Sequence, residues 1–171
     1  DRYKHLMLSH KNSFMNIIEN RPEWTIKAFS FMSFGQVMVD NSRSFQTAFQ
    51  QIHSLYKEDK NFQDCVHFDC KQNKIDFNQR NALFILEEIT AFYLASKGKL
   101  NFNNRFIENT QKWILQGYPG KPLKSEVYLF KLNPLNLSNP NNKFEYCYYD
   151  LESKILYDYS RLDIDTFDFK D

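Results

Sequence analysis

The sequence predicts a layered α/β fold, and three observations carry that reading. Helical stretches are interleaved with single strand-like stretches rather than grouped into separate blocks. The 171 residues are 42% hydrophobic and 17% aromatic, enough to bury a substantial core, and they read as one domain over 1–171. No internal repeat, coiled-coil heptad or apolar run near the ~20 residues of a membrane span breaks the pattern.

The elements follow from periodicity. Residues 3–19 read as a helix, with Leu6, Met7, Phe14, Ile17 and Ile18 near the helical repeat, ended by Asn20-Arg21-Pro22. Glu23–Ala28 alternates like a strand, and Phe29–Gly35 is ambiguous between strand end and turn. Ser42 or Ser44 is expected to cap a helix over 45–57, whose stripe is Phe45, Phe49, Ile52, Leu55 and Tyr56. Helical pattern continues from Asp59 to Cys70 and breaks at 73–78.

The strongest helix spans 78–96 and is closed by Gly98. Residues 99–112, polar and rich in Asn, read as a loop with a short helix. Trp113-Ile114-Leu115 reads as a buried strand running into Gln116–Pro122, where two glycines and two prolines mark a stiff turn. Three further strands are expected at 126–132, 143–149 and 154–159.

Charge and cysteine content narrow the function classes. The net charge of +1 hides 18 basic and 13 acidic residues over 1–142, against 4 basic and 8 acidic over 143–171. A basic body with an acidic tail suits a polyanionic partner, and equally a merely solvated surface. Cys65, Cys70 and Cys147 are odd in number and lack zinc spacing, so free thiols in a reducing cytoplasm are expected, with no metal and no cofactor. The chain opens Asp1-Arg2-Tyr3-Lys4-His5, with neither a signal peptide nor a starting Met; a fragment or processed product is expected.

Two places can carry chemistry. Glu88, within the apolar helix, has Phe84, Ile85, Ala91 and Phe92 at its three- and four-residue offsets. A carboxylate in such surroundings is desolvated, which favours a reactive role. Glu87 has Leu83, Phe84, Thr90 and Ala91 at the same offsets, so helix geometry alone leaves open which one points inward, and either can snorkel to water. Tyr118, followed by Pro119 at the carboxyl end of a buried strand, stands where open α/β sheets bind ligands, although an ordinary turn tyrosine fits the same pattern. Phosphate loops, HExxH and GxSxG are absent, and His5, His10, His53 and His67 are scattered.

Taken together, Ile26–Ser30, Tyr56-x-x-Asp59-x-x-Phe62, Ala82–Ile89 and Trp113–Pro122 resemble the tRNA-dependent cyclodipeptide synthases, over roughly residues 1–130. The resemblance implies a Rossmann-like fold similar to the class I aminoacyl-tRNA synthetase catalytic domain, here without its first strand. It implies an aminoacyltransferase that joins amino acids from two aminoacyl-tRNAs into a cyclic dipeptide through a seryl acyl-enzyme. Glu88 takes the position of the family's catalytic glutamate and Tyr118 that of its catalytic tyrosine. Pro119 marks the subfamily with proline after that tyrosine.

Phe84, Ala91, Phe92 and Pro119 fall at substrate-binding positions, and Arg2, Lys4 and Lys11 on the basic helix that meets tRNA. Two departures stand out. Phe84 replaces the family's tyrosine, and the Gly-x-Ser nucleophile loop has no counterpart in these 171 residues. The chain alone is therefore expected to be inactive, with the serine supplied from a missing N-terminal segment. A non-catalytic RNA-binding or protein-interaction module is the alternative, and a plain α/β domain with its buried glutamate paired to a cation is a third reading.

Overall fold

The computed structural model describes residues 2–20, 33–76, 78–108, 113–118, 120–132, 145–161, 163 and 166; some side chains within these ranges, that of Tyr118 among them, fall outside the description. The expected strand Glu23–Ala28 and the matching stretch Ile26–Ser30 lie outside the described residues. What is described is a mixed α/β structure with small sheets.

The first helix, α1 (Arg2–Glu19), forms as its periodicity predicts. Where Phe29–Gly35 is expected to be strand end or turn, its described end instead opens a short helix, α2 (Phe34–Asp40), started by Ser33, whose hydroxyl accepts the Gln36 N–H at 3.2 Å. Next comes α3 (Ser42–Glu58), burying Phe45, Ala48, Ile52 and Leu55 as one stripe. Its N-cap position is held by Asn41, not by Ser42 or Ser44. The side chain of Asn41 is engaged elsewhere, accepting the Asn101 N–H at 2.8 Å and donating to the Asn101 carbonyl at 3.1 Å.

Asp59 ends α3 and starts α4 (Lys60–Gln72), its Oδ1 accepting the Phe62 N–H at 3.0 Å. Asn78 caps α5 (Gln79–Ser96) in the same way, through the Asn81 N–H at 2.9 Å. Ten of the eighteen residues of α5 are buried, on more than one face, as befits a central helix; it touches α2, α3, α4 and three later elements.

Residues 99–108 correct the expected loop with a short helix. They form a hairpin, β1 (Lys99–Phe102) and β2 (Arg105–Glu108), paired antiparallel. Asn103 and Asn104 turn it with φ of 47° and 61°, the left-handed pair a two-residue hairpin loop requires and asparagine tolerates. The Asp40 carboxylate receives the Asn103 N–H at 2.8 Å, so the turn is fastened to α2.

After it come β3 (Trp113–Tyr118), α6 (Lys124–Leu132), β4 (Glu145–Asp150), β5 (Leu156–Asp158) and a 3-10 turn, Tyr159–Arg161. The sheet order is β3-β4-β5, parallel between β3 and β4 and antiparallel between β4 and β5, with Tyr118 opposite Asp150. The expected strand at 126–132 is thus a helix. Ser125 to Leu129 are all buried, so the run shows neither period and reads as strand by composition. Parallel pairing of β3 with β4 also demands a crossover between them, and α6 occupies that stretch of chain.

Gly117 lets α1 approach this sheet. A Cβ there would fall well inside van der Waals contact of the Phe14 ring, and Phe14 packs on Tyr149, the partner of Gly117 in β4, at 6.2 Å between ring centroids. Gly117→Ala is expected to cost about 1–3 kcal/mol through overpacking. Thermal denaturation of the single variant and of its combination with Phe14→Leu checks this, the second substitution recovering most of the loss.

Candidate functional site

Glu88 is the carboxylate that goes inside. It is 5% exposed, with Ile85, Ile89 and Ala91 buried around it, whereas Glu87 is half-buried. Helix geometry could not choose between them because the choice is made by the elements packed around α5. Of the expected substrate contacts, Ala91 is buried and Phe92 half-buried, but Phe84 is 46% exposed and its ring sits at the surface.

One turn beyond Glu88, the Phe92 carbonyl accepts the Gln116 side-chain amide at 3.0 Å. That bond fastens α5 to β3 two residues before Tyr118. The Tyr118 side chain and Pro119 lie outside the described residues. Arg2 and Lys4 stand on the first turn of α1 with side chains likewise outside the description; Lys11 is exposed on the same helix.

The turn after Tyr118 is held from β4. Asp150 accepts the Gly120 N–H at 2.8 Å and the Glu152 N–H at 2.8 Å through Oδ1, and the Ser153 hydroxyl through Oδ2. Tyr148 donates its hydroxyl to the Gly120 carbonyl at 3.0 Å. Gly120 has φ of 99°, left-handed territory that suits glycine. Burial pushes the Asp150 carboxyl up, but the hydrogen bonds from Ser153, Glu152 and Gly120 outweigh it and leave its pKa below the ordinary value.

The sequence reading missed a second set of acids. Glu126, on α6, is fully buried; its Oε1 accepts the Tyr159 hydroxyl at 2.9 Å and its Oε2 has no hydrogen-bond partner among the described residues. Burial, opposed by the Tyr159 hydrogen bond and reinforced by the charges of Asp69 and Glu88, pushes its pKa up to about 8. Asp69 on α4 is 3% exposed and pushed up to about 6, chiefly by burial.

Asp69 is richly bonded. Its Oδ1 accepts the Lys124 N–H at 2.7 Å, and its Oδ2 accepts the Ser125 N–H at 2.9 Å together with the Ser125 hydroxyl. A signal for α6 was present in the sequence: Pro122 just ahead of a first turn that carries Glu126. Among the described residues no group of His, Cys, Asp and Glu is arranged to hold a metal ion, and Cys65, Cys70 and Cys147 are buried.

An open hollow of about 370 Å³ lies between α1 and β4–β5, lined by Ser13, Asn16, Asn20, Tyr149 and Lys154 among others; of the expected site residues whose side chains are described, none lines it. No helix among the described residues is long and apolar enough to cross a membrane. No family model, curated protein or solved structure matches this chain.

Two outcomes are expected. Asp150→Ala should lower stability by about 1–3 kcal/mol, because the Gly120 and Glu152 amides lose their acceptor. Since the folded pKa of Asp150 is depressed, its contribution is complete above the ordinary carboxylate pKa and is lost as pH falls through the folded value, so the two melting curves should converge in acid.

Glu126 behaves oppositely. Its folded pKa is raised, so folded protein holds a proton that unfolded chain has released, and stability falls with rising pH from about pH 5 until about pH 8. Melting temperatures of Glu126→Gln across that range should show a shallower decline than those of the wild type.

Proposed function

We propose that this chain is the later portion of a tRNA-dependent cyclodipeptide synthase of the proline subfamily, an aminoacyltransferase whose strands and helices take a Rossmann-like layering. The observation that supports it most is Glu88, a carboxylate buried on an apolar helix whose next turn is bonded to the strand ending in Tyr118. Parallel strands joined across a helix, with a candidate residue at a strand's carboxyl end, are the usual setting for ligand binding in open α/β sheets.

In this reading a serine from polypeptide outside these 171 residues attacks the aminoacyl ester. Its Oγ bonds to the carbonyl carbon, the ester C–O bond breaks, and the tRNA 3′-hydroxyl leaves with a proton. Glu88 receives the α-ammonium of the amino acid now held as a seryl ester, then takes its proton so that the amine can attack the second aminoacyl ester. A peptide bond forms, the second tRNA leaves, and the new terminal amine closes the ring on the seryl ester. That last step returns the serine.

Tyr118 orients or relays a proton at the acyl centre, while Ala91, Phe92 and Pro119 flank the amino acid and Phe84 stands at the pocket's outer edge. Arg2, Lys4 and Lys11 meet tRNA phosphates, in the cytoplasm where aminoacyl-tRNA is made. Their contribution to affinity weakens as salt rises.

The test is mass spectrometry of the medium from cells expressing the complete gene. Wild type is expected to release a cyclic dipeptide, and Glu88→Gln to release about 10²–10⁴-fold less, the usual contribution of one positioned acid–base group. Full yield from Glu88→Gln would contradict the assignment. Salt-dependent RNA affinity with no product from the wild type would instead identify a non-catalytic RNA-binding module.

A further inference from the structure

The hollow between α1 and β4–β5 has no part in that scheme, yet it lies where open α/β sheets take ligands. Tyr149, which lines it, is the last residue but one of β4, and its partner Gly117 holds the same place in the parallel strand β3. The crevice beyond the carboxyl ends of such strands is the usual binding position. Because Gly117 has no side chain, α1 comes close to the sheet. One stripe of α1, Ser13, Asn16, Ile17 and Asn20, forms the opposite wall, these residues being three, four and seven positions apart on a single helix face. The volume, about 370 Å³, falls in the lower part of the ~300–1,000 Å³ of small-molecule sites.

The α1 wall has hydrogen-bonding capacity to spare. Ser13 donates its hydroxyl to the Ser9 carbonyl at 3.1 Å, and the Asn20 side-chain amide donates to the Asn16 carbonyl at 2.7 Å. Both side chains are thereby oriented, and their oxygens remain acceptors. The Asn16 side-chain amide has no hydrogen-bond partner among the described residues and offers a donor and an acceptor together. Ile17, Leu156 and Tyr149 add apolar surface.

Lys154 is the one charged residue that lines the hollow, and it has no ion-pair or ring partner among the described residues. Its backbone is tied down. The Lys154 N–H donates to the Asp150 carbonyl at 2.8 Å and the Asp150 N–H to the Ile155 carbonyl at 2.9 Å, while the Asp150 carboxylate binds Glu152 and Ser153 in the turn between them. Its φ of 59° is left-handed, a conformation uncommon for a residue with a side chain.

An ammonium with no acid among the lining residues attracts an anion, and lysine meets phosphate as a point charge, whereas the fork of arginine suits planar carboxylates. Side chains that both donate and accept match sugar hydroxyls, which do the same. We propose that the hollow binds a free sugar phosphate, with the phosphate at Lys154 and the sugar hydroxyls along Ser13, Asn16 and Asn20. This site does not rest on the synthase reading.

Titration of the full chain, labelled with ¹⁵N and followed by NMR, tests the proposal. Ribose 5-phosphate is the probe, with ribose and inorganic phosphate as controls at equal ionic strength. The probe should move the Asn16 side-chain amide and the Lys154 backbone amide saturably, and bind about tenfold or more tightly than either control. Lys154→Gln should weaken it about tenfold or more, the loss of one charge-assisted hydrogen bond. Asn16→Ala should weaken it about threefold to tenfold while leaving inorganic phosphate unaffected. Both residues are exposed, so both variants should melt with the wild type.

Equal binding of ribose 5-phosphate and inorganic phosphate would overturn the proposal, because the α1 wall would then play no part. Unchanged affinity in Lys154→Gln, or shifts that leave Asn16 and Lys154 unmoved, would overturn it as well. A trinucleotide of RNA that moves the same resonances at lower concentration than ribose 5-phosphate would assign the hollow to an RNA backbone in place of a free sugar phosphate.

Discussion

The carboxylate of Asp69 is the constraint on which the rest of the candidate site depends. An acid so deeply buried is tolerable only if its lone pairs are satisfied, and the start of α6 satisfies them with two amide N–H groups and the Ser125 hydroxyl. The reciprocal need is as strong, because the first amides of a helix have no partners within it and α6 is preceded by Leu123, which has no capping group. One ion therefore closes two deficits, and the favourable end of the helix dipole adds to the bond. A second tie repeats the theme: Tyr128 donates its hydroxyl to Asp59 at 2.7 Å while its ring stacks on Phe62 at 5.7 Å between centroids.

With α6 seated on α4 by these bonds, Glu126 is carried into the interior, where Glu88 of α5 is buried as well. The acids are not equivalent. Asp69 is held by three hydrogen bonds, whereas Glu126 has one bond and, among the described residues, an oxygen without a partner. Buried polar groups left part-satisfied are uncommon in folded proteins, and the raised pKa of Glu126 spares it a buried charge as well.

How much of this was legible in the sequence depends on where the deciding contacts lie. The stripe of Phe45, Ile52 and Leu55 fixed α3 because its period belongs to the helix itself, and the density of apolar residues marked α5 with its end at Gly98. The helix α6 was read as a strand because Ser125–Leu129 is buried on every side and its cap comes from Asp69, 55 residues upstream of Lys124. The hairpin at Asn103-Asn104 was missed because its strands are four residues each and largely exposed, and only β1, with Leu100 and Phe102, carries an apolar alternation.

Glu88 was picked from its apolar neighbours, yet its choice over Glu87 belongs to the packing of other elements around α5, which no single helix reveals. Glu126 escaped notice for the same reason, since an acid inside an expected strand gives no hint that it is fully buried. The turn after Tyr118 was marked by its glycines and prolines; the Asp150 carboxylate that holds it pairs with it only through the sheet register.

Native-state hydrogen exchange at the backbone amides of Lys124 and Ser125 tests the central claim most directly. If the Asp69 carboxylate seats α6, both amides should exchange only as fast as the whole molecule unfolds. Exchange at the rate of amides in an exposed turn would mean that the bond to Asp69 does not hold, and with it would go the seating of α6 on α4.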